Sequence, residues 1–309
     1  MKKQLGKILL VALSIALVAV TFAACKSDAK FDVEHDIAVV TREIGSGTRD
    51  GVVEALYGAS NDANHKLITD NQGASIIQNT QAVLQTVAEN PYAISYDSFG
   101  YCDSSVKVLE YEGVKPTQET VKNKTYAITR PFVIVSKKDV PLTELSGNAK
   151  EFYTFLQSSE AAAVINGGYV FQGPAAPAAY GTKTLSGTLK IGGSTSVGPV
   201  MDKLAQKFKD LTGVTVTVAG GGSGAGRKVG DGSDTNGWDF GMASAAISSS
   251  HNIADGLYFD IAIDGIAFIV NPKNPVEKLS KAQAGDIFKG RRDAEGNYTA
   301  PYKWNDFIA

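Results

Sequence analysis

Leu189-Lys190-Ile191-Gly192-Gly193-Ser194-Thr195-Ser196-Val197-Gly198-Pro199 decides the fold of this chain. A strand-like apolar run from Thr188 to Ile191 enters a Ser/Thr-rich turn, and Pro199 then stands at a helix N1 position. Val200, Leu204, Phe208 and Leu211 follow at helical spacing on one face, with Gly213 as the stop. The result is a βα unit whose turn gathers backbone N–H groups and hydroxyls at the positive end of a helix. Such a turn suits an anion. A second stretch of the same kind lies about 150 residues earlier: Ile37 to Val40 reads as a strand, and Thr41-Arg42-Glu43-Ile44-Gly45-Ser46-Gly47-Thr48-Arg49-Asp50 opens a helix from about Arg49 to Tyr57. Together the two read as halves of one oxyanion clamp.

Working outward, strands and helices alternate, which predicts an α/β fold. Gln81 to Glu89 is helical and stopped by Pro91, and Tyr92 to Tyr96, Val106 to Tyr111 and Pro131 to Ser136 read as strands. Ala149 to Ile165 reads as a helix or helix pair ending at Asn166-Gly167-Gly168. Phe171 to Gly187, rich in Ala, Pro and Gly without apolar periodicity, reads as a linker. Val214 to Val218 is a strand, Tyr258 to Asn271 carries two strand-like stretches, and Ser280-Lys281-Ala282-Gln283 is a capping box for a last helix through Phe288.

The chain has 309 residues, 43% of them hydrophobic and 20% charged, enough for one large or two medium cores. Lys2, Lys3 and Lys7, the apolar run Ile8 to Phe22 and Ala23-Ala24-Cys25 form a basic n-region, a short h-region and a small-residue cleavage site before a cysteine. The segment resembles a bacterial lipobox, which implies a signal peptide over 1–24, cleavage before Cys25 and a lipid on its sulfur; an uncleaved anchor is the other reading. Cleavage removes those three lysines and no acid, which takes the formal charge from −2 to −5. A mildly acidic body does not suggest nucleic acid, which needs a basic footprint. With Cys25 lipidated, Cys102 has no partner for an intrachain disulfide and reads as a structural thiol.

These stretches, with GGGSGAG (Gly220 to Gly226), DFGMAS (Asp239 to Ser244), DGIAFIVNPKNPVEKLS (Asp264 to Ser280), AISYDSFGY (Ala93 to Tyr101) and TYAITRPFVIVSK (Thr125 to Lys137), resemble the substrate-binding proteins of bacterial phosphate ABC transporters. In that family the GSTSVGP segment precedes the GSGTRD segment; here the order is reversed, so the chain reads as circularly permuted. The resemblance implies an α/β, two-lobed periplasmic-binding-protein (type II) fold with a ligand cleft between the lobes. It implies a tether over 25–34, lobe two over 35–105 and 273–309, and lobe one over 106–272 with the linker 171–187. A part of a longer or tandem product is an alternative account of the order.

By motif the resemblance carries phosphate contacts onto Arg42, Ser46, Gly47 and Thr48 from lobe two, and onto Thr195, Ser196, Ser223 and Ser244 from lobe one. Arg42 is the expected sole clamp cation, its planar fork able to hold two oxygens. Many relatives have an aspartate where Ser244 stands, and a carboxylate two residues after the arginine, where Ile44 stands; Glu43 or Asp50 is the candidate replacement buttress. Arg49 and Arg227 are candidates for the field over the cleft, with a surface position the plainer reading of Arg227. Asp239 reads as a structural cap or ion pair, and Trp238 as a packing residue.

The implied function is that of a lipid-anchored extracytoplasmic receptor, a monomer without cofactor or metal, that delivers inorganic phosphate to a membrane permease powered by a cytoplasmic ATPase. Sulfate or molybdate, or a sensor role without transport, is the alternative. A serine hydrolase is disfavoured: neither Ser-Thr-Ser-Val-Gly nor Gly-Gly-Ser-Gly-Ala fits a nucleophile elbow, and His35, His65 and His251 have no triad context. No enzyme is expected.

Overall fold

The structure is a computed structural model describing residues 30–308; the signal segment and Cys25 lie outside the described residues. The chain begins with β1 (Ala38–Arg42), α1 (Gly47–Tyr57), α2 (Asp62–Thr69), β2 (Ser75–Ile77), α3 (Thr80–Glu89) and β3 (Ala93–Ser98). Next come β4 (Lys107–Val108), β5 (Glu110–Tyr111), α4 (Gln118–Lys122), β6 (Thr129–Ser136), α5 (Gly147–Leu156), α6 (Ser159–Ile165) and β7 (Val170–Phe171). They are followed by β8 (Thr188–Gly193), α7 (Gly198–Thr212), β9 (Thr215–Gly220), α8 (Gly222–Asp231) and β10 (Phe240–Ala243). Last are β11 (Tyr258–Val270), β12 (Lys278–Leu279), α9 (Lys281–Lys289), β13 (Arg291–Arg292) and β14 (Tyr298–Ala300).

One sheet carries the order β2-β1-β3-β11-β6-β10-β8-β9. β1 pairs in parallel with β2 and β3, and β8 in parallel with β9 and β10. Between these groups runs β11, antiparallel to both neighbours: Tyr258 to Gly265 pairs with β6, and Ile266 to Val270 with β3. The two strand-like stretches expected from Tyr258 to Asn271 are thus a single strand, and the interruption is a bulge between Asp260 and Ala262. Its near-continuous apolar run follows from a central position with both faces covered. β4 joins the end of β11 at Ile269 and Val270, and β5 pairs with β12.

Each parallel group has its own apolar layer. Around β6, β8 and β10, Phe132, Ile134, Ile191, Phe240 and Met242 pack with Phe152, Phe155 and Phe208 from α5 and α7, and the rings of Phe152 and Phe208 meet edge-on at 5.0 Å. Around β1 and β3, Val40, Ala93, Ala267 and Ile269 meet Val83, Leu84 and Val87 of α3. The expected face of α7 is buried at Val200, Leu204 and Phe208, and Gly213 ends the helix at φ +86°. Ser280 and Gln283 form the expected capping box on α9.

The Ala/Pro-rich segment is not a free linker. It lacks helix or strand between Phe171 and Thr188, yet Tyr180 is buried against Phe155 and Phe208, and its hydroxyl donates to Glu151 at 2.6 Å. Glu160 accepts the backbone N–H groups of Tyr180 and Gly181, which hold its carboxyl well below the usual carboxylate range. Such a strap has no apolar period because its bonds go to side chains and helix ends already formed elsewhere.

The two ends of the described chain pair with one another. Ile37 N–H donates to Tyr302 O at 2.8 Å, Trp304 N–H to His35 O at 3.3 Å, and Asp36 bridges Lys303. Trp304 is fully buried and its indole N–H donates to the carbonyl of Tyr92 at 3.1 Å. Trp304→Ala is expected to cost about 3–5 kcal/mol of unfolding free energy, read from urea denaturation; a loss below about 1 kcal/mol would show that the seam is peripheral to folding.

Candidate functional site

Four helix N-termini meet at the ends of the parallel strands. α1 follows β1 through the turn at 43–46, with Ser46 as N-cap accepting from Arg49 N–H, and Thr80 opens α3. On the other side, α7 follows β8 through the turn at 194–197, and α8 follows β9. Helix starts leave their first N–H groups without intrahelical partners, and carboxyl ends of parallel strands are where open α/β sheets collect ligands.

Arg42 is 2% exposed. Its Nε and Nη2 donate to the two carboxylate oxygens of Glu43 at 2.9 and 3.0 Å, so Glu43, and not Asp50, buttresses it. Further donations go to Ile77 O at 3.1 Å, Gln78 O at 3.3 Å, Thr80 Oγ1 at 3.3 Å and, across from the other parallel group, Thr195 Oγ1 at 3.0 Å. Thr48 Oγ1 and Ser196 Oγ lie 2.9 Å apart, and Thr80 Oγ1 is 3.2 Å from Ser196 Oγ. Ser223 Oγ meets Ser244 Oγ at 3.1 Å and accepts the Ser244 N–H at 3.0 Å. Gly47 packs against Ser244 so closely that a Cβ there would sit 2.7 Å from its backbone C and O and its Oγ. The residues expected from sequence are therefore assembled around one buried polar locus: Arg42, Ser46, Gly47 and Thr48 from one side, Thr195, Ser196, Ser223 and Ser244 from the other.

Two side chains complete it. Thr80 was hidden because a threonine at a helix start reads as a cap. Arg130, inside the quoted TYAITRPF, corrects the expectation of a sole cation: its Nη1 donates to Thr48 Oγ1 at 2.6 Å and Ser244 Oγ at 3.2 Å, while Nε and Nη2 hold Asp264 Oδ2 at 3.1 and 2.9 Å. The strand read from Pro131 to Ser136 gave no hint of it, since Arg130 precedes that run and its burial depends on Asp264, which is buried with it. Burial raises the Asp264 carboxyl and Arg130 opposes that shift.

The remaining candidates fall outside the locus. Arg49 is wholly buried, donating to Arg42 O at 2.7 Å and to His65 O and Nδ1, so it is a scaffold for the turn. Arg227 is not a surface residue: its side chain is 12% exposed and reaches Asp50 at 3.4 Å across the two groups. Gly224 N–H donates to Gly45 O at 3.2 Å on the same seam. Asp239 pairs with Lys137 and accepts Lys190 N–H, a structural role. A cavity of about 330 Å³ lined by Thr80, Tyr101, Thr195, Pro199 and Asp202 borders the hydroxyls on one side. Among the described residues no group of His, Cys, Asp and Glu has a metal-holding arrangement.

Arg130→Gln is expected to destabilise the fold by about 3–5 kcal/mol at neutral pH by stranding Asp264. The stranded carboxyl titrates higher in the folded than in the unfolded state, so the deficit shrinks as pH falls and grows as pH rises. Urea midpoints of both proteins at pH 5.5 and 8 measure this; a gap independent of pH would contradict it.

Relatives of known name are similar to this chain over most of its length. A family profile described as a PBP superfamily domain matches residues 178–308. The phosphate-binding protein PstS 2 of Streptococcus agalactiae is 35% identical over 274 residues, 87% of this chain and 90% of that one. PstS 2 of Streptococcus pneumoniae is 34% identical over 271 residues, covering 87% and 88%. The crystal structure of a phosphate-binding protein of a phosphate ABC transporter from Streptococcus pneumoniae is 31% identical, with a TM-score of 0.63 over 89% of this chain and all of that one. Sequence and fold agree across nearly the whole described chain, and it belongs to the PstS family of phosphate-binding proteins with the periplasmic-binding-protein fold.

Proposed function

We propose that this protein is a non-enzymatic receptor that holds inorganic phosphate between two lobes and hands it to the permease of an ABC transporter for uptake. The observation that carries this reading is the meeting of Arg42 with Thr195 at 3.0 Å and of Thr48 with Ser196 at 2.9 Å, which joins both halves of the clamp at one buried point. Phosphate would replace the hydroxyl-to-hydroxyl bonds there. Arg42 supplies a fork, Arg130 a second donor, Ser46, Thr48, Thr80, Thr195, Ser196, Ser223 and Ser244 hydroxyls, and Gly47 a backbone N–H at a helix start.

In this reading β11 and the chain before β6 are the crossovers between lobes. The pairing of β4 with β11 and of β5 with β12 favours a first boundary near residue 128 in place of 105. The permuted order belongs to this reading, with the pairing of residues 35–37 to 302–304 as the place where a family loop would have been reopened. In this reading the receptor sits on the outer face of the cytoplasmic membrane, anchored through Cys25 with the tether 25–34 between lipid and fold, and the lipobox-like segment supports it. Among the described residues no helix is long and apolar enough to cross a membrane.

Calorimetric titration of protein starting after Cys25 and stripped of ligand, with phosphate and separately sulfate from pH 6 to 8.5, tests the reading. Tight phosphate binding with sulfate rejected is expected; equal binding of sulfate moves the protein to a general oxyanion receptor. Arg42→Ala is expected to weaken phosphate binding about 100-fold, by the loss of a charge-assisted contact of about 3 kcal/mol. Gly47→Ala, whose new methyl would press on Ser244, is expected to raise the Kd at least about tenfold while leaving each lobe folded, because it blocks the approach of the two sides. Near-normal affinity in both variants would remove these residues from the site.

A further inference from the structure

Asp97 is the last-but-one residue of β3, and the register of that strand fixes its neighbours. Ala38 pairs with Ala93 and Val39 with Ile94 in the parallel ladder of β1 and β3, so the same register sets Asp97 beside Arg42, both on the face covered by α3. On its other side Asp97 pairs with Ala267 of β11. The residue is 1% exposed; Oδ1 accepts the Ser98 N–H at 2.7 Å, and Oδ2 has no hydrogen-bond partner among the described residues. A carboxylate in that position is a buried charge lacking one of its bonds.

The charges that act on it come from every element around it. Arg42 on β1 and Arg130 on β6 favour its ionised form, and Asp264 on β11 disfavours it. Tyr101 and Cys102, just beyond β3, and Tyr169, just before β7, are neutral neighbours that its charge pushes up further. The sole ionisable residue of α3, Glu89, is at the far end of that helix. Arg42 is already matched by Glu43, and Arg130 by Asp264. Asp97 is thus the surplus acid of the locus, and burial pushes its carboxyl up to about 7.

We propose that Asp97 is the proton-coupling group of the anion site: it takes a proton from solvent onto its free oxygen when an oxyanion settles on Arg42 and Arg130. This rests on the receptor reading above. An arriving anion neutralises the pull of both arginines on Asp97 and adds a like charge in front of it, so the neutral carboxyl is favoured in the complex. By linkage the protonated protein binds the anion more tightly, and affinity falls as pH rises through the titration of Asp97. Ser244 carries no charge, so Asp97 adds a pH response of the protein to that of the titrating phosphate itself.

Asp97→Asn keeps the acceptor for Ser98 N–H and the side-chain shape but cannot titrate. Calorimetry of phosphate binding at pH 7.5, in two buffers of different ionisation enthalpy, counts protons taken up by each protein. The wild type is expected to take up a measurable fraction of a proton more than Asp97→Asn, and its phosphate affinity to fall more steeply between pH 7 and 9, by up to about tenfold per pH unit for one coupled proton. Carboxyl-carbon NMR of the wild type, which needs no variant to fold, is expected to show the Asp97 titration move to higher pH when phosphate is added. Intact phosphate binding with equal proton counts, or with an unmoved Asp97 titration, overturns the inference and leaves the receptor standing. Absence of phosphate binding by the wild type overturns both.

Discussion

A guanidinium that is 2% exposed must have its donors satisfied within the protein, and most of the site follows from meeting that demand for Arg42. Its partners are Glu43 in the next position, the carbonyls of Ile77 at the end of β2 and of Gln78 just after it, Thr80 at the start of α3, and Thr195 in the turn before α7. The partners come from three separate pieces of chain, at 43, 77–80 and 195. The short edge strand β2, which carries no apolar pattern of its own, is fixed because the two carbonyls following Ile76 are needed here. Arg49 adds the complementary bond, capping Arg42 O and so locking the exit of β1 into the turn that presents Ser46, Gly47 and Thr48.

Arg130 solves a different problem. It and Asp264 sit on β6 and β11 opposite one another in register, at the strands that run between the two parallel groups. A buried ion pair is weak evidence for stability, yet its position gives it a second role: the free Nη1 fork touches Thr48 from one group and Ser244 from the other. The crossing strands therefore sense both sides of the locus through one side chain. Arg227 with Asp50, and Gly224 N–H with Gly45 O, extend the seam outward.

Much of this was readable in the sequence where the signal is local. The β8-to-α7 unit, with its Pro199 start and Gly213 stop, and the Ser280 capping box are set by residues within a few positions of one another. The eight expected residues likewise sit at strand ends, turns and helix starts, whose chemistry is short-range. What escaped was set by distant partners. Arg130 looks like an ordinary strand residue until Asp264, 134 positions away, makes it burial-competent. Tyr180 looks like part of a loose linker until Phe155 and Phe208 enclose it. The eight-residue helix α2 is short, and its only buried residues are His65 and Ile68, too few to print an apolar stripe. The single strand β11 read as two because a bulge breaks the alternation that periodicity relies on.

The charge balance explains why so many uncharged donors are present. Glu43 offsets Arg42 and Asp264 offsets Arg130, so the paired side chains contribute almost no net positive charge where an anion would sit. Attraction must then come from oriented dipoles: the starts of α1, α3, α7 and α8, with hydroxyls that can turn their protons toward an arriving oxygen. Under the proposed function such dipoles would attract an anion beside two guanidiniums already matched by carboxylates; the hydroxyls themselves bond to one another, Thr48 with Ser196 and Ser223 with Ser244. A site built this way is close to electrically neutral, and a single further carboxyl such as Asp97 is enough to tip its response to pH.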